Sequence, residues 1–440
     1  MPTPLDNQVM RMDGWPKGVN NRLRETETQA ASRNEFEIPQ SNWLREAINV
    51  DLTQLGHPLR RTGYTKLSDG FTHSLWSDVG IDYGLCVKDG WLTALDSRDG
   101  IVEFPLIEAS PYLLMSYTVV NGEVYFSNTQ IKGRVTPELD VLHWGVPEPG
   151  QPVLSLVANG SLFNGVYRVA MTFEDADGEE YGASEPSEIV VTDRQNIEVT
   201  VPGGWPSGAF RANVYVTQAG SETFYLARQT LFPTVLTITQ GDLGRGRFLE
   251  TLDLREPRSG SLLATFNGRI YIARNDTVIF TEPLRYGVTR PAQGIYMFPS
   301  NVTLLAPTVD GVYVGYEGAV VFLAGIDPYD VSQLAVSSHS PVPRAMTYIP
   351  GERLGVPQRF VPVWWGIDGV MVAGMPGGQV RELTRDRLAV PKHQAGAMLL
   401  REREGMSHVV SVLRRGGEMN LMGASDSVVA EIRRNCVKLN

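Results

Sequence analysis

The densest run of carboxylates is Glu174-Asp-Ala-Asp-Gly-Glu-Glu, in which Asp175, Asp177 and Glu179 sit at alternate positions. A hard cation asks for that spacing, because calcium draws several oxygen ligands from one loop. The downstream positions break the pattern. An EF-hand loop starting at Asp175 needs glycine at 180 and glutamate at 186, where the chain has Glu180 and Pro186. A solvated hairpin turn accounts for the run, and no metal is assigned. His57, His73, His143, His339, His393 and His408 stand apart, with no spacing that puts two imidazoles on one face. Cys86 and Cys436 are too distant in sequence for a thiolate pair and too few for a disulfide framework. A nucleophile elbow, a P-loop and a dinucleotide fingerprint are all missing from the sequence, so no catalytic or cofactor-binding residue is assigned. A distant triad or a carboxylate pair stays open, and for glycoside cleavage the places to look are the turns at Asp310, Asp327 and Asp368.

Basic residues gather at Arg22 and Arg24, Arg60 and Arg61, Arg245 and Arg247, Arg401 and Arg403, and Arg414 and Arg415. Each pair could touch phosphate, but aromatic platforms are not interleaved with them. Thirty-nine basic against forty-nine acidic residues give a net charge of −10. Such a chain repels polyanions as a whole, which argues against a DNA-coating protein and leaves the arginines as surface charges or ion pairs between subunits. The N-terminus lacks a basic-then-apolar leader pattern. The most apolar long stretch, Val312 to Ile326, is about five residues short of a membrane span and carries Glu317. The expectation is a protein that is neither secreted nor inserted in a membrane.

The elements that would position these groups are short strands. Apolar runs of four to seven residues alternate with Asn-Gly, Asp-Gly and Gly-Gly pairs, which accept the positive φ of two-residue hairpin turns. One unit recurs: Val120-Asn-Gly-Glu-Val-Tyr-Phe, Phe266-Asn-Gly-Arg-Ile-Tyr-Ile, Val309-Asp-Gly-Val-Tyr-Val and Ile367-Asp-Gly-Val-Met-Val, with a weaker copy at Lys88-Asp-Gly-Trp-Leu. The last three full copies are followed by second strands at Thr277, Ala319 and Gln379 and are spaced by 43 and 58 residues. That interval approaches the period of four-stranded propeller blades. The fold class expected is all-β: a β-propeller, with unrelated hairpins in a sandwich as the alternative.

The repeat is interrupted between about 152 and 255 by six or seven strands without the antibody-type cysteines, an immunoglobulin-like sandwich of the fibronectin type III kind. Proline-rich stretches at Pro147-Glu-Pro-Gly-Gln-Pro and Arg255-Glu-Pro-Arg-Ser-Gly flank it as paired linkers. The domains expected are an N-terminal arm over 1–50, a first part of the propeller over 51–150, the inserted sandwich over 151–255 and the rest of the propeller over 256–440. A short helix from Arg22 to Ala31 would show only Leu23, Ala30 and Ala31 as apolar residues. So narrow a stripe needs a neighbour to pack on.

The segments Asp13-Gly-Trp-Pro-Lys-Gly-Val-Asn-Asn, Leu44-Arg-Glu-Ala-Ile-Asn-Val-Asp-Leu and Gly56-His-Pro-Leu-Arg-Arg-Thr-Gly-Tyr resemble the opening of tailed-bacteriophage virion proteins. The run from Tyr167 through Ser187 is similar to fibronectin-like modules of phage structural proteins. Together these cover about residues 11–70 and 160–230. The family resemblance is to the β-propeller tail nozzle, or distal tail-tube protein, of short-tailed phages. It implies a non-enzymatic virion component assembled in the host cytoplasm as a homo-hexameric ring. The implied partners are the adaptor of the head-to-tail connector and tail fibre or spike proteins, with double-stranded DNA passing through without specific binding. Assembly contacts are expected at Trp15, Asn20, Asn21, Arg22, Arg24, Arg45, Arg60 and Arg61. A tail protein that binds a host receptor or glycan, and a propeller glycosidase or lyase, are the alternatives.

Overall fold

The computed structural model describes residues 19–22, 43–44, 47, 50–52, 57–60, 69–96, 102–403, 406–414 and 436–438. The helix expected over Arg22–Ala31 lies outside the described residues apart from Arg22, which is in a turn. The chain is all-β, with antiparallel sheets and, among the described residues, three single-turn 3-10 helices. Two compact units emerge. One is built on Thr72–Phe298 with Asp327–Tyr329, and the other on Pro299–Ile326 and the described residues from Asp330 onward, with those before Thr72.

In the first unit, three sheets are up-and-down meanders whose strands pair in chain order. They run Thr72–Trp76, Gly84–Lys88, Trp91–Asp96, Val102–Glu108; then Ser116–Val120, Glu123–Ser127, Lys132–Val135, Val141–Leu142; then Leu262–Phe266, Arg269–Arg274, Thr277–Glu282, Arg285–Thr289. Because successive side chains point to opposite faces, the second meander offers an apolar row on both sides. Leu85, Val87 and Leu92 pack with Val124, Phe126 and Val135, while Val120, Tyr125 and Trp144 pack with Leu263, Ile270 and Ile272. Where the second and third meanders meet, the Thr118 and Thr265 hydroxyls are 2.7 Å apart.

Between those two meanders the chain forms two further sheets. Val153–Val157, Asn196–Val201 and Thr234–Ile238 make one; Gly165–Glu174 with Glu180–Ala183, Ser187–Val191, Arg211–Thr217 and Phe224–Thr230 make the other. They share a single core, in which Ile197, Val199 and Ile238 from one meet Val169, Met171, Phe173 and Val214 from the other. The linkers of this module are tied down. Arg255 donates to the carbonyls of Leu252 and Leu254 at 2.9 and 2.8 Å, Glu256 N–H donates to the Glu148 carboxylate at 2.9 Å, and Lys132 pairs with Glu256 and donates to Trp144 O at 2.9 Å. Burial of Lys132 pushes its ammonium below the usual lysine range, an effect Glu256 partly opposes.

The second unit repeats the meander twice, as Val302–Pro307, Gly311–Tyr316, Ala319–Ala324, Ser332–Ser337 and as Pro341–Pro350, Phe360–Gly366, Met371–Gly374, Val380–Glu382. A third sheet joins Ala395–Arg403, Met406–Arg414 and Cys436–Lys438. Consecutive residues Trp364 and Trp365 serve opposite faces. Trp364 lies among Leu304, Tyr313 and Phe322, whereas Trp365 lies among Ala345, Val363, Val409 and Leu413 and donates its indole N–H to Ser411 Oγ at 2.9 Å.

The recurring Asx-Gly pairs all fall at strand connections, but not in one turn type. Asp89-Gly90, Asn121-Gly122 and Asn267-Gly268 are two-residue turns with positive φ at both positions, the primed geometry that matches strand twist. At Asp310 and Asp368 the loops are longer, joining Pro307 to Val312 and Trp365 to Met371. There the aspartate works through its side chain: Asp310 accepts from Thr308 Oγ1 at 2.9 Å and from Gly377 N–H at 2.6 Å.

Candidate functional site

The richest polar cluster lies on the face of the module's larger sheet that points away from the shared core. Strand parity creates it. With Val169, Met171 and Phe173 turned inward, Ala170, Thr172 and Glu174 face outward, and the register sets Glu174 opposite Arg211, Thr172 opposite Asn213 and Ala170 opposite Tyr215. Glu174 is buried and accepts from Arg211 at 3.1 Å, from Arg247 at 3.0 Å and from Asn213 at 3.1 Å. Glu180 accepts from Tyr215 at 2.8 Å, from Asn213 at 3.0 Å, from Arg247 at 3.3 Å and from Thr172 Oγ1. Asn213 is oriented in turn by Gln229, which donates to its carbonyl oxygen at 2.8 Å.

Two carboxylates facing two guanidiniums are neutral in sum, and every carboxylate oxygen carries a donor. This arrangement holds structure in place. Its cover is the stretch around Arg247 to Leu252: Leu226 N–H donates to Arg247 O at 2.8 Å, Leu249 N–H donates to Phe224 O at 3.0 Å, and Leu249 and Leu252 pack with Tyr215 and Phe224. Gly246 permits that approach, since a Cβ there would stand 2.2 Å from the carbonyl oxygen of Leu226. Sequence reading marked Arg247 as part of a basic cluster but missed Glu174, Glu180 and Arg211. Their signal was the parity of strand 165–174, which sets Thr172 and Glu174 on the face opposite its apolar row.

Asp175 organises the acidic turn. Asp175 accepts from the N–H groups of Asp177 and Glu179 at 3.0 and 2.8 Å and from Tyr181 Oη at 2.8 Å. Burial raises the Glu179 carboxyl above its usual range, and the Arg285 guanidinium 3.7 Å away works in the opposite direction. Among the described residues no group of three or more His, Cys, Asp or Glu side chains could hold a metal ion. The three candidate acids have separate partners: Asp310 is bonded as above, Asp368 pairs with Arg385 at 3.2 Å, and Asp327 accepts from Tyr329 N–H at 3.1 Å. No described helix is long and apolar enough to cross a membrane.

Of the residues expected to make assembly contacts, Trp15, Arg24, Arg45 and Arg61 lie outside the described residues. Asn20, Asn21 and Arg22 bond within their own chain. Asn20 N–H donates to Leu44 O at 2.7 Å, Asn21 N–H donates to Arg387 O at 3.1 Å, and Arg22 Nε donates to Leu388 O at 3.3 Å. The Asn21 carboxamide reads Ala389 twice, accepting from its N–H at 2.6 Å and donating to its C=O at 3.1 Å. Nearby, the Arg387 guanidinium lies 5.3 Å from the Trp43 ring centre. Arg60 is exposed, on a strand Pro58–Arg60 that pairs with Val50–Leu52, and Asp51 of that pair bonds Arg401 at 2.9 Å.

Burial also sets an alkaline limit on stability. Tyr83, Tyr125 and Tyr296 are pushed up to about 12, chiefly by burial, with Glu123 and Asp327 adding to the effect at Tyr83 and Tyr296 respectively. An unfolded tyrosine ionises near 10. Between about 10 and 12 the folded chain therefore retains protons that the unfolded chain has lost, so stability is intact below 10 and falls as pH rises through that window. Tyrosinate absorbance should develop in two stages, the later one coinciding with unfolding. A single stage near 10 in a chain that stays folded would contradict this burial.

No protein-family model matches the chain, and no curated protein matches it. Among solved structures it is similar to BBS1N in complex with ARL6DN, at 10% identity and TM-score 0.33, covering 79% of this chain and 90% of that one. It is similar to the Neurospora crassa Pan2 WD40 domain at 9% identity and TM-score 0.31, covering 77% and 86%. It is similar also to virginiamycin B lyase from Staphylococcus aureus at 10% identity and TM-score 0.33, covering 78% and 92%. Likenesses this slight carry no argument about what the chain does.

Proposed function

We propose that this chain is a structural subunit of a bacteriophage tail, the nozzle ring that extends the DNA channel below the portal and adaptor and helps retain and then release the genome. The observation that carries the reading is the succession of four-stranded meanders interrupted once by a two-sheet module. In this reading the meanders are the blades of a β-propeller and the module is its fibronectin type III-like insertion. The resemblance over residues 11–70 and 160–230 supplies the phage context. The net charge of −10 supports a conduit, because each phosphate neutralised by a lysine or arginine would add affinity through counterion release and slow the passage of DNA.

Identical subunits in a ring meet through heterologous contacts. The test is the mass of the purified protein by light scattering, alone and with a portal–adaptor complex, together with negative-stain imaging. A ring with a central hole, of about six copies, is expected. A monomer at every concentration that ignores the adaptor would overturn the nozzle reading and direct attention to glycan binding.

A further inference from the structure

The outer strands of the meanders differ in how they guard their free edge. Val102–Glu108 carries Glu103, Glu108 and, opposite Thr93, Pro105. Val380–Glu382 carries Arg381 and Glu382, and Val141–Leu142 has only two residues. Charge, proline and shortness are the usual means of keeping an edge from pairing with another chain. Ser332–Ser337, Ser-Gln-Leu-Ala-Val-Ser, has none of them, and its one bulge, at Val336, lies beyond the stretch 332–335. Residues 332–335 are exposed at every position, on both faces of the strand, with Leu334 42% exposed. The module's uncharged edge strands Val153–Val157 and Thr234–Ile238 instead alternate between exposed and covered positions, so one face of each is already occupied.

The direction of the free backbone groups follows from the hairpin that precedes this strand. Tyr316 and Ala319 close a two-residue turn and so form a hydrogen-bonded pair, as do Val314 with Val321 and Val312 with Leu323. Phe322 and Ala324 therefore turn their N–H and C=O groups the other way, toward Leu334 and Ser332, which they face in register, while Val320 faces Ser337 past a bulge at Val336. Gln333 and Ala335 are left with their backbone groups directed away from the sheet.

We propose that this edge pairs with the same edge of a second copy of the chain, antiparallel about a two-fold axis at Leu334. Symmetry allows this register, because the two outward residues of one copy meet those of the other, Gln333 opposite Ala335 and Ala335 opposite Gln333, giving four backbone hydrogen bonds. Leu334 then faces Leu334 of the second copy as a non-hydrogen-bonded pair, the closer of the two spacings at about 4.5 Å between Cα atoms. The exposed leucines cover each other. With no charge on the strand, like charges are nowhere opposed. Self-pairing of Val102–Glu108 about its middle would instead oppose two prolines that have no N–H to give. The two-fold contact is separate from the heterologous contacts of a ring, and either can exist without the other.

The test is a gain of signal. Leu334→Cys should form a disulfide between copies under mild oxidation, since close non-hydrogen-bonded partners hold thiols at an effective concentration of about mM. Cross-linking should be roughly 100-fold faster than for Val79→Cys at µM protein, a site 89% exposed and remote in sequence. Ala335→Pro removes an outward N–H that the chain's own sheet does not use, and should shift the concentration-dependent mass toward half. Leu334→Lys, which sets two ammonium groups across the axis, gives the same readout if the proline variant does not fold. Equal cross-linking rates for the two cysteine variants, or an unchanged mass for a folded Ala335→Pro or Leu334→Lys, would overturn the proposal. A ring seen without this cross-link would leave the nozzle reading standing and this one refuted.

Discussion

Replacing Trp364 with alanine should destabilise the unit from Pro299 onward by about 3–5 kcal/mol, the range for deleting a large aromatic ring from a core that relaxes only partly. The indole is 1% exposed and forms one side of an aromatic cluster, its ring centre 5.4 Å from Tyr313, which is 4.6 Å from Phe322. Packing there is tight enough to need a glycine. A Cβ on Gly374 would stand 2.6 Å from the Tyr313 ring and 2.8 Å from Trp364. Tyr313 is also fixed at its far end, donating to Gln379 O at 2.7 Å, so it cannot swing into the space vacated.

The readout is urea unfolding followed by circular dichroism, in which a loss of about 4 kcal/mol at a slope of roughly 2 kcal/mol per molar lowers the midpoint by about 2 M. Amide exchange should quicken in both Val302–Pro307 and Phe360–Gly366, because Trp364 joins the two sheets. Val79→Ala, at an exposed turn, should stay within about 0.5 kcal/mol of the parent. Trp365→Phe tests the opposite face. It keeps most of the volume but leaves the buried Ser411 hydroxyl without the indole N–H, for about 1–3 kcal/mol. A Trp364→Ala chain with an unshifted midpoint would mean that the two sheets do not share this core.

The hairpins were legible because their information is local. An Asn or Asp followed by Gly between two β-rich runs states its turn chemistry within four residues, and Asn121-Gly122 and Asn267-Gly268 adopt the geometry that their types favour. Asp310 and Asp368 look the same in sequence yet sit in longer loops. What separates them is contact with remote residues, Gly377 for one and Arg385 for the other. The run Phe360-Val-Pro-Val-Trp-Trp-Gly reads as a strand covered on both sides, but which tryptophan serves which sheet depends on neighbours about fifty residues away in each direction. For the polar cluster the difficulty is greater. Glu174 finds Arg211 across one strand pair and Arg247 from the covering stretch outside the strands, and nothing within either arginine's own segment marks it as a partner. Acidic residues attract attention where they are dense, at 174–180, whereas the two that organise the network, Glu174 and Glu180, are the ends of that run.

Removing Glu174 tests whether that network holds the module's outer face shut. Alanine at 174 leaves Arg211, Arg247 and Asn213 without the acceptor they share. Hydrogen bonds to a charged group are worth roughly 1.5–3 kcal/mol each in net terms, and breaking a fully buried pair costs about 3–5 kcal/mol. Here the carboxylate is 8% exposed while Arg211 and Arg247 are 34% and 49% exposed, so water recovers part of the loss at the arginines, and a net cost of about 2–3 kcal/mol is expected. Glu174→Gln, which keeps the shape and one acceptor oxygen, should lose less. The damage should be directional. With only Glu180 and Tyr215 left to Arg247 as partners, the amides of Leu226 and Leu249 should exchange faster, since their bonds to Arg247 and Phe224 carbonyls hold the covering stretch to the sheet, while amides of Ile197 and Val199 on the other sheet change little. A double-mutant cycle with Arg247→Ala should show a coupling of about 1–2 kcal/mol, with the double variant less damaged than the sum of the two single ones. Additive losses, or an exchange pattern that spreads evenly over both sheets, would mean that the cover is held by Leu249 and Leu252 packing on Tyr215 and Phe224 and that the charges only solvate its rim.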